Sequence, residues 1–243
     1  MSLRSWLGLG PQTARPELGW DYHCHLLPGV DDGARTLEEA REMITGLRAL
    51  GYRGGVLTPH IYDGVYANTS ASLRTAFAAF KAAIGDEYQL WLAAEYHTTD
   101  AFFELIKNDD LLFLPVGRDR LVLVEFPYLM PNPRGLEALA AVRHAGYQPV
   151  LAHVERYRYI QSDPKPWLAD LARHEVWIQC NIGSLGGMYG DRPRKLAQHL
   201  LDAGLPVLWS TDVHRISQIE RYVSRGLVCL ERLAYVNGVL DRM

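Results

Sequence analysis

Cysteine is scarce in this sequence: Cys24, Cys180 and Cys229 are the only three in 243 residues. That is too few for a disulfide framework in a chain of this length, and a reducing cytoplasm is the expected setting. None of the three opens a Cys-x5-Arg phosphate loop, because Val30, Gly186 and Tyr235 stand where the arginine is required. Cysteine-based phosphatase chemistry is therefore not expected. No run approaches the ~20 apolar residues of a membrane span, and "MSLRSWLGLG" is too short and too broken by glycine for a secretory signal. A soluble protein is expected, with residues 1–17 an N-terminal extension whose first three residues read as a cloning remnant. A basic excess is missing too: 25 Lys and Arg against 28 Asp and Glu leave a formal charge of −3, which argues against a nucleic-acid partner. No Gly-x-Gly-x-x-Gly turn follows the first strand, so dinucleotide binding has no support. No fixed-period repeat, low-complexity tract or linker divides the chain, and one domain over 1–243 is expected.

What is present is an alternation of short apolar strands and amphipathic helices. "TLEEAREMITGLRALG" opens with a capping-box pair, Thr36 and Glu39, carries apolar residues at 37, 40, 44, 47 and 50, and stops at Gly51. "GGVLTPH" reads as a buried strand cut by Pro59. Strands "YQLWLAAE", "LVLVEFP", "PVLAHVE", "VWIQCN" and "PVLWSTDVH" follow, with helices between them and a helical region from about Ile216. With the segment leading into Asp21, about seven β-α units result. Apolar strands in such a run predict a parallel sheet covered by helices, and a single-domain, distorted TIM-like barrel is the economical closure.

The polar residues then fall into one place. His23 and His25 end the first strand, His60 the second, Glu95 the third, Glu125 the fourth and His153 the fifth. Asn181 ends the sixth, and Asp212 with His214 the seventh. In a parallel barrel these ends share one face, where active sites are built. His23 and His25, two apart on a strand, project to one side, and Cys24 between them points away. So many imidazoles and carboxylates exceed what one tetrahedral ion needs. A cluster of two or three divalent ions at the C-terminal strand ends is expected, with a carboxylate such as Glu95 bridging ions about 3.5–4 Å apart. Mixed His and carboxylate ligands suit Mn, Fe or Zn. Burying these groups together without an ion would be costly.

On the segments "DYHCHLLPGVDDGA", "LTPHIYDGVYANT", "LAAEYH", "LVEFP", "LAHVERY", "QCNIGSLGGMYG" and "STDVHR", from Asp21 to Arg215, the chain resembles the polymerase-and-histidinol-phosphatase (PHP) superfamily. Within it, the chain is most similar to the metal-dependent protein tyrosine phosphatases of bacterial capsular and extracellular polysaccharide synthesis. The resemblance implies a distorted barrel with a trinuclear site at its mouth, and manganese is the first expectation for its ions, before iron or zinc. Its ligands would be His23, His25, Asp32, His60, Glu95, Glu125, His153, Asp212 and His214, with Asp31 the rival of Asp32. Arg156 of "HVERY" matches a phosphate-binding position. Where the family has an Asn and a later Arg-Pro-Pro, this chain has "DVHRISQIER", so the second phosphate-binding arginine is Arg215 or Arg221. His97 stands where an apolar or aromatic residue is expected.

The reaction expected on these grounds is hydrolysis of a phosphomonoester by a metal-bound hydroxide, with Arg156 stabilising the equatorial oxygens. Phosphotyrosine suits it, because a phenolate with a parent pKa of about 10 leaves without much help from an acid. Tyr62, Tyr66, Tyr157 and Tyr189 lie in loops near the expected mouth. By the resemblance, the partner is a phosphotyrosyl protein, a tyrosine kinase of polysaccharide export with a tyrosine-rich tail. The alternatives are a phosphatase for a small ester such as histidinol phosphate, a nuclease or nucleotide phosphoesterase, or a metal-stabilised module without turnover. Nothing in the sequence bears on oligomeric state.

Overall fold

A computed structural model describes residues 19–232 apart from 117 and 206. The expected extension over 1–17 and the end of the C-terminal helical region lie outside the described residues.

The chain alternates as expected. Its strands are β1 (Trp20–Cys24), β2 (Gly54–Leu57), β3 (His60–Ile61), β4 (Gln89–Leu92), β5 (Glu95–His97), β6 (Leu114–Val116), β7 (Asp119–Glu125), β8 (Gln148–Leu151), β9 (Trp177–Asn181) and β10 (Val207–Ser210). Two parallel sheets result, β1-β2-β4 and β10-β9-β8-β7-β5-β3, with β6 added antiparallel on β7. They are consecutive halves of one wall. Pro59 has no N–H to give to a ladder, so the second stave is interrupted between β2 and β3. The pairing carries on across that gap: Ala93 N donates to Leu57 O at 2.9 Å and Glu95 N to Pro59 O at 3.2 Å. β2 with β3, and β4 with β5, are thus single staves whose lower parts belong to one sheet and upper parts to the other. At the remaining seam, β1 meets β10 through the Cys24–Val213 bridge, with His25 N donating to Val213 O at 3.1 Å and Asp212 N to His23 O at 2.8 Å. Seven parallel staves surround an inner apolar cluster that includes Val56, Leu121, Leu123, Val150 and Leu208. A larger cluster packs the helices onto the outside.

Helix Leu37–Ala49 shows why the elements begin and end where they do. Thr36 accepts a hydrogen bond from Glu39 N at 3.2 Å, and Ala40, Met43, Ile44 and Leu47 form the buried stripe. The return half of the expected capping box is absent: Glu39 accepts from Arg35 N at 2.9 Å and from the Arg35 guanidinium. Gly51, at φ 99°, provides the left-handed turn that stops the helix. Two strands are shorter than their apolar runs. "PVLAHVE" stops at Leu151 and "PVLWSTDVH" at Ser210, because His153 (φ 29°) and Asp212 (φ 52°) take left-handed backbone that no ladder tolerates. The β6–β7 hairpin has no counterpart among the expected elements. No helix among the described residues is long and apolar enough to cross a membrane.

Candidate active site

All seven staves end on one face, around a pocket of about 500 Å³. At its floor the two imidazoles of His23 and His25 each approach both Glu95 and Asp212. His23 Nε2 is 3.1 Å from His25 Nε2, 3.3 Å from Glu95 Oε2 and 3.3 Å from Asp212 Oδ1. His25 Nε2 is 3.5 Å from Glu95 Oε2 and 3.4 Å from Asp212 Oδ1. Separations of this size are those between nitrogen and oxygen atoms that share one divalent transition metal at about 2.0–2.2 Å. The residues fit such an ion. All four are buried, and Glu95 Oε2 has no hydrogen-bond partner. His23 Nδ1 lies 3.3 Å from Gln179 Oε1 and His25 Nδ1 lies 2.8 Å from Asp31 Oδ2, so each imidazole has its second nitrogen engaged and turns Nε2 inward.

Two more groups adjoin it. His153 Nε2 is 2.9 Å from Glu95 Oε1 and 3.5 Å from Glu125 Oε1. Asp32 Oδ1 is 3.4 Å from His60 Nε2 and 3.5 Å from His214 Nε2. Glu95 therefore gives one oxygen to the floor and the other to the His153–Glu125 pair. His60 Nδ1 lies 3.2 Å from Glu95 Oε2, linking the third group to the first. Burial and the neighbouring Glu95 carboxylate push Glu125 up to about 7. Burial and the Arg156 guanidinium hold His153 down at about 4, which keeps it the neutral imidazole that a metal binds. Hydrogen bonds from His214 and His60 hold Asp32 far below the usual carboxylate range.

The two adjacent aspartates do different things. Asp32 presents a half-exposed carboxylate to the pocket. Asp31 is turned inward, where it holds His25 and accepts from Gly33 N at 2.9 Å and His60 N at 3.2 Å.

Arg156 enters from the turn Val154–Arg156, which the left-handed backbone at His153 starts. Its guanidinium lies between the rings of Tyr128 (4.5 Å) and Tyr189 (4.3 Å) and donates to Asp212 Oδ2 at 3.0 Å. Asp212 Oδ2 also accepts from Asn181 Nδ2 at 2.6 Å, so one carboxylate oxygen is tied down and Oδ1 is left for the floor. Arg215 lines the pocket, and its Nη1 donates to the carbonyls of Asp32 (2.7 Å) and Gly33 (2.5 Å), fastening that turn to the end of the last stave. Arg221 does not reach the pocket, which corrects the expectation that it could bind phosphate there. Ile219 and Val223 point into the core, and a residue two positions from each lies on the opposite, exposed side of the helical turn.

Of the expected mouth tyrosines, Tyr62, Tyr66 and Tyr189 line the pocket. Tyr157 does not: it is fully buried, and its hydroxyl accepts from Phe126 N at 3.0 Å. Tyr128, which sequence reasoning missed, lines the pocket and donates from its hydroxyl to Glu125 Oε1. Its position three residues past a strand-end carboxylate was the available signal. His97 is a buried ring stacked on Tyr62 at 3.8 Å, and burial lowers its pKa to about 4.

A parallel α/β barrel whose strand ends gather imidazoles, carboxylates and a sandwiched arginine defines a metal-site protein of the phosphoesterase type. The chain belongs to the CpsB/CapC family of capsular polysaccharide synthesis, whose pattern it matches over residues 19–234. It is 29% identical over 224 residues to the tyrosine-protein phosphatase YwqE of Bacillus subtilis (strain 168), covering 87% of this chain and 84% of that one. It superposes with a TM-score of 0.78 on one of the crystal structures of YwqE from Bacillus subtilis and CpsB from Streptococcus pneumoniae, described as unique metal-dependent tyrosine phosphatases. That match is 27% identical and spans 88% of this chain and 86% of the other. The histidinol phosphate phosphatase of Lactococcus lactis subsp. lactis Il1403, solved with zinc, L-histidinol and phosphate, shares the fold. Its TM-score is 0.57 at 14% identity, over 89% of this chain and 94% of that one.

Proposed function

We propose that this chain is a metal-dependent protein tyrosine phosphatase acting, in the cytoplasm, on a phosphotyrosyl kinase that controls polysaccharide synthesis. The observation that carries the reading is the division of Glu95, one oxygen towards His23 and His25 and the other towards His153, the posture of a carboxylate between two ions. His23, His25, Glu95 and Asp212 would hold a first ion, Glu95, Glu125 and His153 a second, and Asp32, His60 and His214 a third, with manganese the first candidate. The described barrel works as one catalytic domain. Its similarity to YwqE, a tyrosine-protein phosphatase, supports the choice of substrate over a small ester.

When bound, the ions supply Lewis acidity towards phosphoryl oxygens and lower the pKa of water to near neutrality. The chain's own residues do the rest. Arg156, its plane set by Tyr128 and Tyr189, offers its remaining N–H donors to the equatorial phosphoryl oxygens. Asn181 and Arg156 keep Asp212 from rotating. Arg215 holds the Asp32 turn at the pocket wall. Tyr62 and Tyr66, stacked on His97 and His60, give the mouth flat apolar surface for a phenyl ring. A phenolate leaving group removes the need for a strong general acid.

The test is phosphate release from a phosphotyrosyl peptide by chelator-stripped protein before and after Mn²⁺ is added, with metal content measured on the same sample. Turnover that appears only with metal is expected. Metal-loaded protein that releases no phosphate from the peptide refutes the proposal.

A further inference from the structure

Outside the catalytic pocket lies a groove of about 790 Å³ whose rim carries Lys165, Arg192, Lys195 and His199. All four are exposed. Among the described residues, no carboxylate lies within ion-pair distance of Lys165, Arg192 or Lys195, whereas Arg194 beside them is held by Asp191 at 2.9 Å. The one acid lining the groove is Asp163. In a chain of net charge −3, three unneutralised cations around one concavity form a local positive field.

The groove is an extension of the catalytic wall. One side, helix Arg158–Ser162 and the start of helix Pro164–Arg173, continues directly from Arg156. The other, helix Asp191–Asp202, begins two residues after Tyr189 and packs against the turn Val154–Arg156. The proposed phosphate-binding Arg156 and one of the two rings that sandwich it, Tyr189, thus lead into the two banks. Arg192 stands three positions after Tyr189, a span of at most about 11 Å. An extended peptide covers about 3.3 Å per residue, so side chains roughly three to six positions from a phosphotyrosine in the pocket reach the cations.

We propose that this groove selects polypeptides with Asp or Glu three to six residues from the phosphotyrosine. The proposal rests on the phosphatase reading and narrows its substrate class. Metal-loaded, full-length protein is assayed on three phosphotyrosyl peptides of equal length: one with acidic residues on the N-terminal side, one with them on the C-terminal side, and one neutral. One acidic peptide is expected to show a KM about tenfold below the neutral one, the sum of three exposed charge pairs. That advantage falls below twofold in K165E/R192E/K195E and in high salt, while turnover of p-nitrophenyl phosphate is the same in both proteins. Equal KM for all three peptides in the unmodified chain, or an advantage that survives the triple reversal, overturns the inference and leaves the phosphatase reading standing. Absence of p-nitrophenyl phosphate and peptide turnover in the unmodified chain sinks that reading itself. Equal KM for all three peptides in the unmodified chain, together with heparin binding that the triple reversal abolishes, assigns the cations to another polyanion and also overturns it.

Discussion

Replacing Asp31 and Asp32 by alanine, one at a time, separates a ligand from the residue that aims one. In D32A a half-exposed carboxylate is lost, and its partners His60 and His214 both line the open pocket where water replaces it, so the metal-free protein should lose no more than about 1 kcal/mol. Its cost falls on the ion held with His60 and His214, and metal content should fall by one per chain. In D31A the acceptor for His25 Nδ1, Gly33 N and His60 N disappears from the interior. Each stranded buried donor costs ~1–3 kcal/mol, and two main-chain donors together give about 2–4 kcal/mol if water entering beside Asp32 satisfies part of the loss. For a chain of this size that is roughly 5–15 °C in Tm. Metal affinity should fall about 10–100-fold through the unanchored His25, a loss that excess metal restores. Thermal melts of the stripped proteins read the first difference, and metal counting across a Mn²⁺ titration reads the second. The assignment fails if D31A melts like the parent yet lacks an ion at saturating metal while D32A binds the full set.

Arg156→Ala should lower kcat/KM by about 10²–10³ with metal content retained, and Arg156→Lys should not restore it, because an ammonium cannot fill the flat slot between Tyr128 and Tyr189; a fully active lysine variant would count against the stacked-guanidinium role. Gln179→Leu strands His153 N (2.6 Å from Gln179 Oε1) and loosens His23, so the stripped protein should lose about 2–3 kcal/mol in urea unfolding, and an unchanged midpoint would show that the contact carries no stability. Burial raises Asp21 from 3.8 to about 6 against hydrogen bonds from the Thr211 hydroxyl and Thr211 N. The folded state therefore holds that proton more tightly than the unfolded one. Its contribution is complete below about pH 4 and is lost as pH rises through about 6. The stripped parent should then lose about 3 kcal/mol relative to D21N between pH 4 and 7, and parallel urea midpoints across that range would refute the shift.

The strand-end residues were legible in sequence because a parallel barrel converts order along the chain into position around a rim. His23, His25, His60, Glu95 and Glu125 needed only the recognition that each closes an apolar run. Direction was not legible. Asp31 and Asp32 are adjacent in one turn, and periodicity does not say which carboxylate swings under His25 and which faces the pocket. The choice between Arg215 and Arg221 likewise depended on the helical phase after the last stave, which is set by Ile219 and Val223 entering the core. Tyr157 was expected at the mouth and is buried, because the turn at His153 rotates the chain after it by an amount that no residue pattern announces.

That turn and its counterpart explain how the site is held open for its ions. His153 and Asp212 both adopt left-handed backbone, costly by about 1–3 kcal/mol for residues other than glycine. Both are fastened from the one stave that ends in no proposed ligand: Gln179 on β9 accepts from His153 N at 2.6 Å, and Asn181 donates to Asp212 Oδ2 at 2.6 Å. Gln179 Nε2 in turn donates to Asn181 Oδ1 at 2.7 Å, so the two amides act as a unit. Amides suit this task better than carboxylates would, since they carry donors and an acceptor without adding charge to a site already crowded with acids. The sixth stave, silent when ligands are counted, is the one that lets its neighbours on either side point inward.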